Sequence, residues 1–114
     1  MPTRLTIRLD FDERRRLGPG KVALLESIGE TGSISAAGRA HAMSYRKAWL
    51  LVEEINCALH EPAVTAGAGG IGGGGAVVTP VGERIVGLYH AIELQARTAA
   101  DDEFRAMGRL IRRD

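Results

Sequence analysis

Residues Gly32 to Leu59 read GSISAAGRAHAMSYRKAWLLVEEINCAL, and the fold is decided in this stretch. A short Ala-rich segment comes first. Ala36, Ala37 and Ala40 have side chains small enough for a helix to approach its neighbours closely. Ser33 and Ser35 are both suited to cap it, since a seryl oxygen accepts from an orphan amide two or three residues on. Ala42-Met43 breaks the pattern, and Ser44 caps a second helix that runs to about Leu59. Ala48, Val52, Ile55 and Leu59 recur on one side of that helix at the 3.6-residue period. Arg46, Lys47, Leu50, Glu53 and Glu54 fall roughly opposite. Two helices joined by a turn of a few residues, with hydroxyl and basic groups opening the second, is the pattern of a helix-turn-helix that reads DNA.

The rest of the chain supplies what such a pair needs. Gly18-Pro19-Gly20 predicts a helix start, because proline in the first turn lacks only an amide that would have no partner. Val22, Leu25 and Ile28, with Leu24 beside them, give that helix an apolar stripe, and Gly29 and Gly32 bracket its end. After Glu61-Pro62, the stretches Ala63–Ala66 and Ala76–Thr79 flank a glycine cluster, Gly67 to Gly75, which predicts a β-hairpin. A hairpin after a helix-turn-helix is a wing. Near the start, Leu5, Ile7, Leu9 and Phe11 alternate with Arg4, Thr6, Arg8 and Asp10, the period of a half-buried strand, expected to pair with the wing. Thr79-Pro80 then opens a long helix toward Ile111, with a possible interruption over Thr98 to Asp102. Its stripe of Val81, Ile85, Leu88, Ile92, Gln95 and Ala99 has near-heptad spacing, suited either to folding back on the core or to pairing with a second subunit. The expected class is therefore mainly α with a small β-sheet. Residues 1–79 form a winged helix-turn-helix with its recognition helix at about 44–59 and its wing at about 63–79. Residues 80–114 form a C-terminal helix for dimerisation.

Composition narrows the function. At 114 residues with 45% hydrophobic and 25% charged side chains, this is one ordinary globular domain. Its single cysteine, Cys57, allows no internal disulfide, and no apolar run approaches a membrane span of about 20 residues. A cytoplasmic chain with no membrane partner is expected. The net charge of +1 is low for a nucleic-acid binder. The signs are nonetheless segregated, with basic groups at Arg14-Arg15-Arg16-Lys21, Arg39-Arg46-Lys47 and Arg105-Arg109-Arg112-Arg113. Segregation lets a near-neutral chain present a basic face.

Candidate DNA contacts are Ser33, Ser35, Ser44, Tyr45, Arg46 and Lys47. Arginine can span guanine O6 and N7, while lysine and hydroxyls hold phosphates or base edges. For Ser33, Ser35 and Ser44, capping alone is the competing role. Trp49 is expected to pack within the fold, because duplex readers rarely stack bases, and Cys57 is expected to be a small buried hydrophobe. Gly67, Gly69 and Gly72 formally match a dinucleotide fingerprint, yet a strand follows where a helix should open, so no cofactor is expected. His41, His60, His90 and Cys57 lack ligand spacing, so no metal is expected. Adjacent carboxylates such as Glu53-Glu54 diverge by about 100° on a helix and cannot converge on a substrate, and nothing here reads as an enzyme.

Taken together, LGPGKVALLESIGETGSISAAGRAHAMSYRKAWLLVEEIN and EPAVTAGAGGIGGGGAVVTPVGERIV resemble the N-terminal domain of the ModE family, molybdate-responsive transcriptional regulators. The resemblance spans about Leu17 to Tyr89. It implies a LysR-type winged helix-turn-helix that binds a palindromic duplex site as a homodimer. The helix starting at Ser44 would read the DNA and the terminal helix would contribute to dimerisation. The alternative is a dimerising interaction module whose ligand sensor sits on a separate partner. The family's molybdate module has a Ser-Ala-Arg-Asn type run that is absent here, so molybdate is not expected to bind this chain, which reads as standalone. The family also favours glycine before Met43, where this chain has Ala42. A left-handed alanine costs roughly 1 kcal/mol, which points to a turn built differently. Gly38 stands where the family favours alanine, a cost of up to about 1 kcal/mol of helix stability.

Overall fold

The computed structural model describes residues 3–67 and 75–112. Caps written into the sequence mark most helix starts. Helix α1, Pro19–Thr31, begins with proline at its first positions and ends at Gly32, whose φ of 68° needs a residue without a Cβ. Helix α2, Ile34–Ala40, starts at Ser33, whose hydroxyl accepts from the Ala36 amide. Helix α3, Tyr45–Ala58, starts at Ser44 in the same way, with Lys47 N–H as donor. Helix α4, Pro80–Ala99, starts at Thr79, which accepts from Gly82 N–H. Helix α5 covers Asp101–Leu110. Its first turn carries Asp101, Asp102 and Glu103, favourable against the positive end of a helix.

Among the described residues there are also four short strands: β1 Leu9–Asp10, β2 Arg16–Leu17, β3 Val64–Ala66 and β4 Ala76–Val78. They form two separate antiparallel pairs, β1 with β2 and β3 with β4. The wing is present at its predicted place, with Val64 opposite Val78 and Ala66 opposite Ala76. Residues 68–74 of the glycine cluster lie outside the described residues. Apolar faces of α1 (Leu24, Leu25, Ile28), α2 (Ala37) and α3 (Ala48, Val52, Ile55) meet Ala63, Val64 and Ala76 of the hairpin in one core. Gly82, in the first turn of α4, lies against the base of the wing. A Cβ there would come 2.4 Å from the Ala63 carbonyl oxygen and 2.7 Å from Val78 Cγ1.

One expectation needs correction. The N-terminal stretch does not pair with the wing. The Asp12 carboxylate accepts from the Arg14 and Arg15 amides, closing a turn that brings Arg16–Leu17 back onto Leu9–Asp10. Leu5, Ile7 and Leu9 do alternate half-buried with exposed neighbours. They run beside α4, where Tyr89 Oη donates to the Ile7 carbonyl at 2.7 Å and Arg97 donates to the Thr3 carbonyl. Helix α1 does end between Gly29 and Gly32, with Gly32 left-handed. The interruption expected over Thr98 to Asp102 is present at Ala100, the C-cap of α4 and the N-cap of α5.

Candidate nucleic-acid interface

The turn between α2 and α3 is closed by two backbone bonds, and the His41 ring in it is hydrogen-bonded to the Ser27 hydroxyl of α1 at 2.8 Å. Met43 N–H reaches the Gly38 carbonyl at 2.8 Å and Ala42 N–H reaches the Arg39 carbonyl at 3.2 Å. These are the paired bonds of a Schellman motif, whose C′ residue must be left-handed. That residue is Ala42, with φ 54°, so the turn keeps the usual geometry and an alanine carries the strain. The expectation of a differently built turn fails here. Gly38 has a packing reason as well. A Cβ on it would lie 3.0 Å from the Ala48 Cβ, so glycine lets α2 approach α3 closely at the turn.

This turn presents the start of α3 to solvent. Ala48, Val52 and Ile55 are buried, and at about 100° per residue the opposite side carries Arg46, Leu50 and Glu53. Ser44, Tyr45, Arg46 and Lys47 are all exposed. Among the described residues no carboxylate forms an ion pair with Arg39, Arg46 or Lys47, whereas Lys21 pairs with Glu54 at 3.2 Å. The three unpaired cations therefore stand near the helix-turn-helix with their charge unneutralised.

The serines divide. Ser44 is exposed and caps α3 at 3.1 Å. Ser35 is half-buried, and its hydroxyl accepts from Arg39 at 2.8 Å. Ser33 is 1% exposed, with its oxygen committed to the Ala36 amide. Ser33 is thus a buried cap with no surface to offer a phosphate, and it leaves the set of DNA contacts. Trp49, expected to pack, is 43% exposed, and Leu50 beside it is 44% exposed. Cys57, expected to be buried, is exposed. Trp49 thereby joins the outward face to which sequence reasoning assigned Arg46, Lys47 and Leu50.

A residue overlooked in the sequence fixes the wing. Asn56, in the last turn of α3, accepts from the Ala63 and Val64 amides at 2.8 and 3.1 Å and donates to the Val64 carbonyl at 3.0 Å. An asparagine near the end of an apolar helix, just before Glu61-Pro62, was its only signal. The other strand is held by Ala76 N–H to the Gly32 carbonyl at 2.9 Å, and Thr79 Oγ1 donates to the Pro62 carbonyl. Helix α3 and the hairpin are thus fixed to one frame. Among the described residues no cluster of three metal-ligating side chains occurs, and no helix is long and apolar enough to cross a membrane.

No protein-family model matches the chain. It is 54% identical over 78 residues, 68% of its length, to the molybdenum-pterin-binding protein MopB of Rhodobacter capsulatus, and covers 29% of that protein. It is 39% identical over 93 residues to the molybdenum transport protein ModE of Azotobacter vinelandii, 82% of this chain and 34% of that one. It is 32% identical over 101 residues, 89% of its length, to the DNA-binding transcriptional dual regulator ModE of Escherichia coli (strain K12), and covers 38% of that protein. The chain spans about a third of the length of the curated relatives it matches.

Proposed function

Because the chain is homologous to the ModE transcriptional regulators and to the molybdenum-pterin-binding protein MopB, we propose that it is a transcriptional regulator that binds duplex DNA as a homodimer. The observation that carries this reading is the first turn of α3. Ser44 caps it, the left-handed Ala42 aims it outward, and Tyr45, Arg46 and Lys47 stand exposed, with no ion pair to either cation among the described residues. In this reading α3 enters the major groove with Arg46 at a base edge, and Lys47 and Ser44 hold phosphates. Tyr45 and Ser35 contact the backbone beside them, and β3–β4 is the wing. Two copies related by a two-fold axis set their α3 helices about 34 Å apart, one turn of DNA, on a palindromic site. The dimer forms through α4 and α5. The proposal includes no molybdate site on this chain, whose sequence has no Ser-Ala-Arg-Asn run.

Binding sites selected from a random duplex pool, followed by fluorescence anisotropy at several salt concentrations, test the reading. Arg46→Ala should weaken the selected site by about 1–3 kcal/mol and relax specificity at one base pair. Lys47→Ala should weaken all duplexes alike and lower the salt slope by about 1. Micromolar or weaker binding to every fragment, unchanged by either substitution, would refute it. That outcome would favour the interaction-module reading, which the net charge of +1 supports.

A further inference from the structure

Two apolar features of the molecule are left uncovered. The first is a groove of about 390 Å³ lined by Phe11 and Leu17 of the N-terminal hairpin, Ile55, Ala58 and Leu59 around the end of α3, and Ile85 of α4. Arg15 and Arg16 form its rim. The second is α5, none of whose residues is buried. Phe104 and Met107 lie at i and i+3 on one side of it and Ile111 is its C-cap, with Met107 64% and Ile111 55% exposed.

A stripe on α4 links the two. Ile85, Leu88, Ile92, Gln95 and Ala99 share one face, displaced from the side on which Gly82 and Tyr89 are buried. Leu88 is 49% and Ile92 40% exposed. The stripe begins in the groove at Ile85 and leads toward α5. At 1.5 Å per residue, however, the chain's own α5 starts about 24 Å from Ile85 along α4, and its main neighbour is α4.

We propose that the groove receives α5 of a second copy of this chain, so that each subunit's terminal helix fills the groove of the other. Pairing two α4 stripes about a two-fold axis at Ile92 makes them antiparallel and sets Ile85 of one copy opposite Ala99 of the other. The partner's α5 begins two residues later, beside the groove. Its acidic first turn, Asp101, Asp102 and Glu103, then arrives next to the Arg15 and Arg16 rim. Parallel pairing would leave both grooves empty and both α5 helices projecting. The contact is isologous, as a two-fold dimer requires. The inference rests on the homodimer reading and adds where the terminal helix goes.

Cysteine cross-linking in a Cys57→Ser background tests it on the full chain. Ala58→Cys chains mixed with Met107→Cys chains should give a disulfide-linked heterodimer on mild oxidation, and neither variant alone should link. Met107→Glu, on a helix outside the core, should leave the fold intact by circular dichroism and raise the dimer dissociation constant at least tenfold. A dimer without the 58–107 cross-link, and unaffected by Met107→Glu, overturns the inference and leaves the homodimer standing. A monomer at tens of micromolar removes the homodimer reading itself. A link formed only within one doubly substituted chain shows α5 folding back on its own groove, and equally overturns the proposal.

Discussion

Ala42→Gly should stabilise this protein, and the turn geometry sets by how much. Ala42 is exposed with φ 54°, so its methyl contributes no packing and holds the backbone in a region unfavourable to L-residues. Left-handed backbone costs a non-glycine residue roughly 1–2 kcal/mol. Glycine recovers that and returns about 0.4–1 kcal/mol through the larger entropy of its unfolded chain. The net gain is about 0.5–1 kcal/mol, or roughly 2–6 °C in Tm for a domain of this size. Both bonds of the turn, Met43 N–H to Gly38 and Ala42 N–H to Arg39, are backbone bonds and survive the change. Thermal unfolding followed by circular dichroism measures it, with Ala40→Gly as the control. Ala40 is also exposed, but closes α2 in helical backbone, where glycine costs about 0.5–1 kcal/mol. The two substitutions must move Tm in opposite directions. If Ala42→Gly falls alongside Ala40→Gly, the strain argument is wrong.

Other outcomes follow from contacts already described. Gly82→Ala drives a methyl into the Ala63 carbonyl and Val78, and should cost about 2–3 kcal/mol in urea unfolding; an unchanged midpoint would show that α4 rides freely over the wing. Asn56→Ala leaves two amides and a carbonyl at the wing base without their partner and should destabilise by about 2–3 kcal/mol, with faster amide exchange at Ala63 and Val64; exchange equal to wild type would contradict this. His90 bridges Glu93 of its own helix and Glu26 of α1, and these hydrogen bonds hold its pKa above the ordinary 6.5. Its stabilisation is therefore complete below about pH 6.5 and is lost as pH rises through the folded-state value. The Tm gap between wild type and His90→Gln should be widest near pH 5.5 and closed by pH 9, and an imidazole titrating below 6.5 by NMR would contradict the assignment.

The helix-turn-helix is legible because its signals are local. Ser33, Ser44 and Thr79 cap the helices they were expected to cap, and Pro80 opens α4. Side-chain facing on α3 was less legible. Within the five consecutive apolar residues Ala48 to Val52, periodicity places Ala48 and Val52 inward and Leu50 outward but does not show that Trp49 turns outward. Packing against α2 at Gly38 selects Ala48 and leaves Trp49 and Leu50 outside. Ser33 illustrates a different gap, since cap chemistry is visible in sequence but depth below the surface is not. The alternation from Leu5 to Leu9 correctly separates inner from outer side chains, yet a period of two says nothing of which edge is met. Asp12, by closing a turn of its own, settles that locally. The α4–α5 break is legible in the stretch Thr98 to Asp102, and it falls at Ala100.

Asn56 has a mechanical consequence. A wing joined to its domain by loops alone can swing independently and adapt to the groove beside it. Here one amide side chain bolts the first wing strand to the last turn of α3, while Gly32 holds the second strand from the α1 side. Any tilt of α3 is thereby transmitted to the hairpin as to the other arm of a rigid lever. In the proposed DNA-bound dimer, a displacement of one copy against the other would move helix and hairpin through the same angle, so half-site spacing, rather than the grip of either arm, is what such a motion would change.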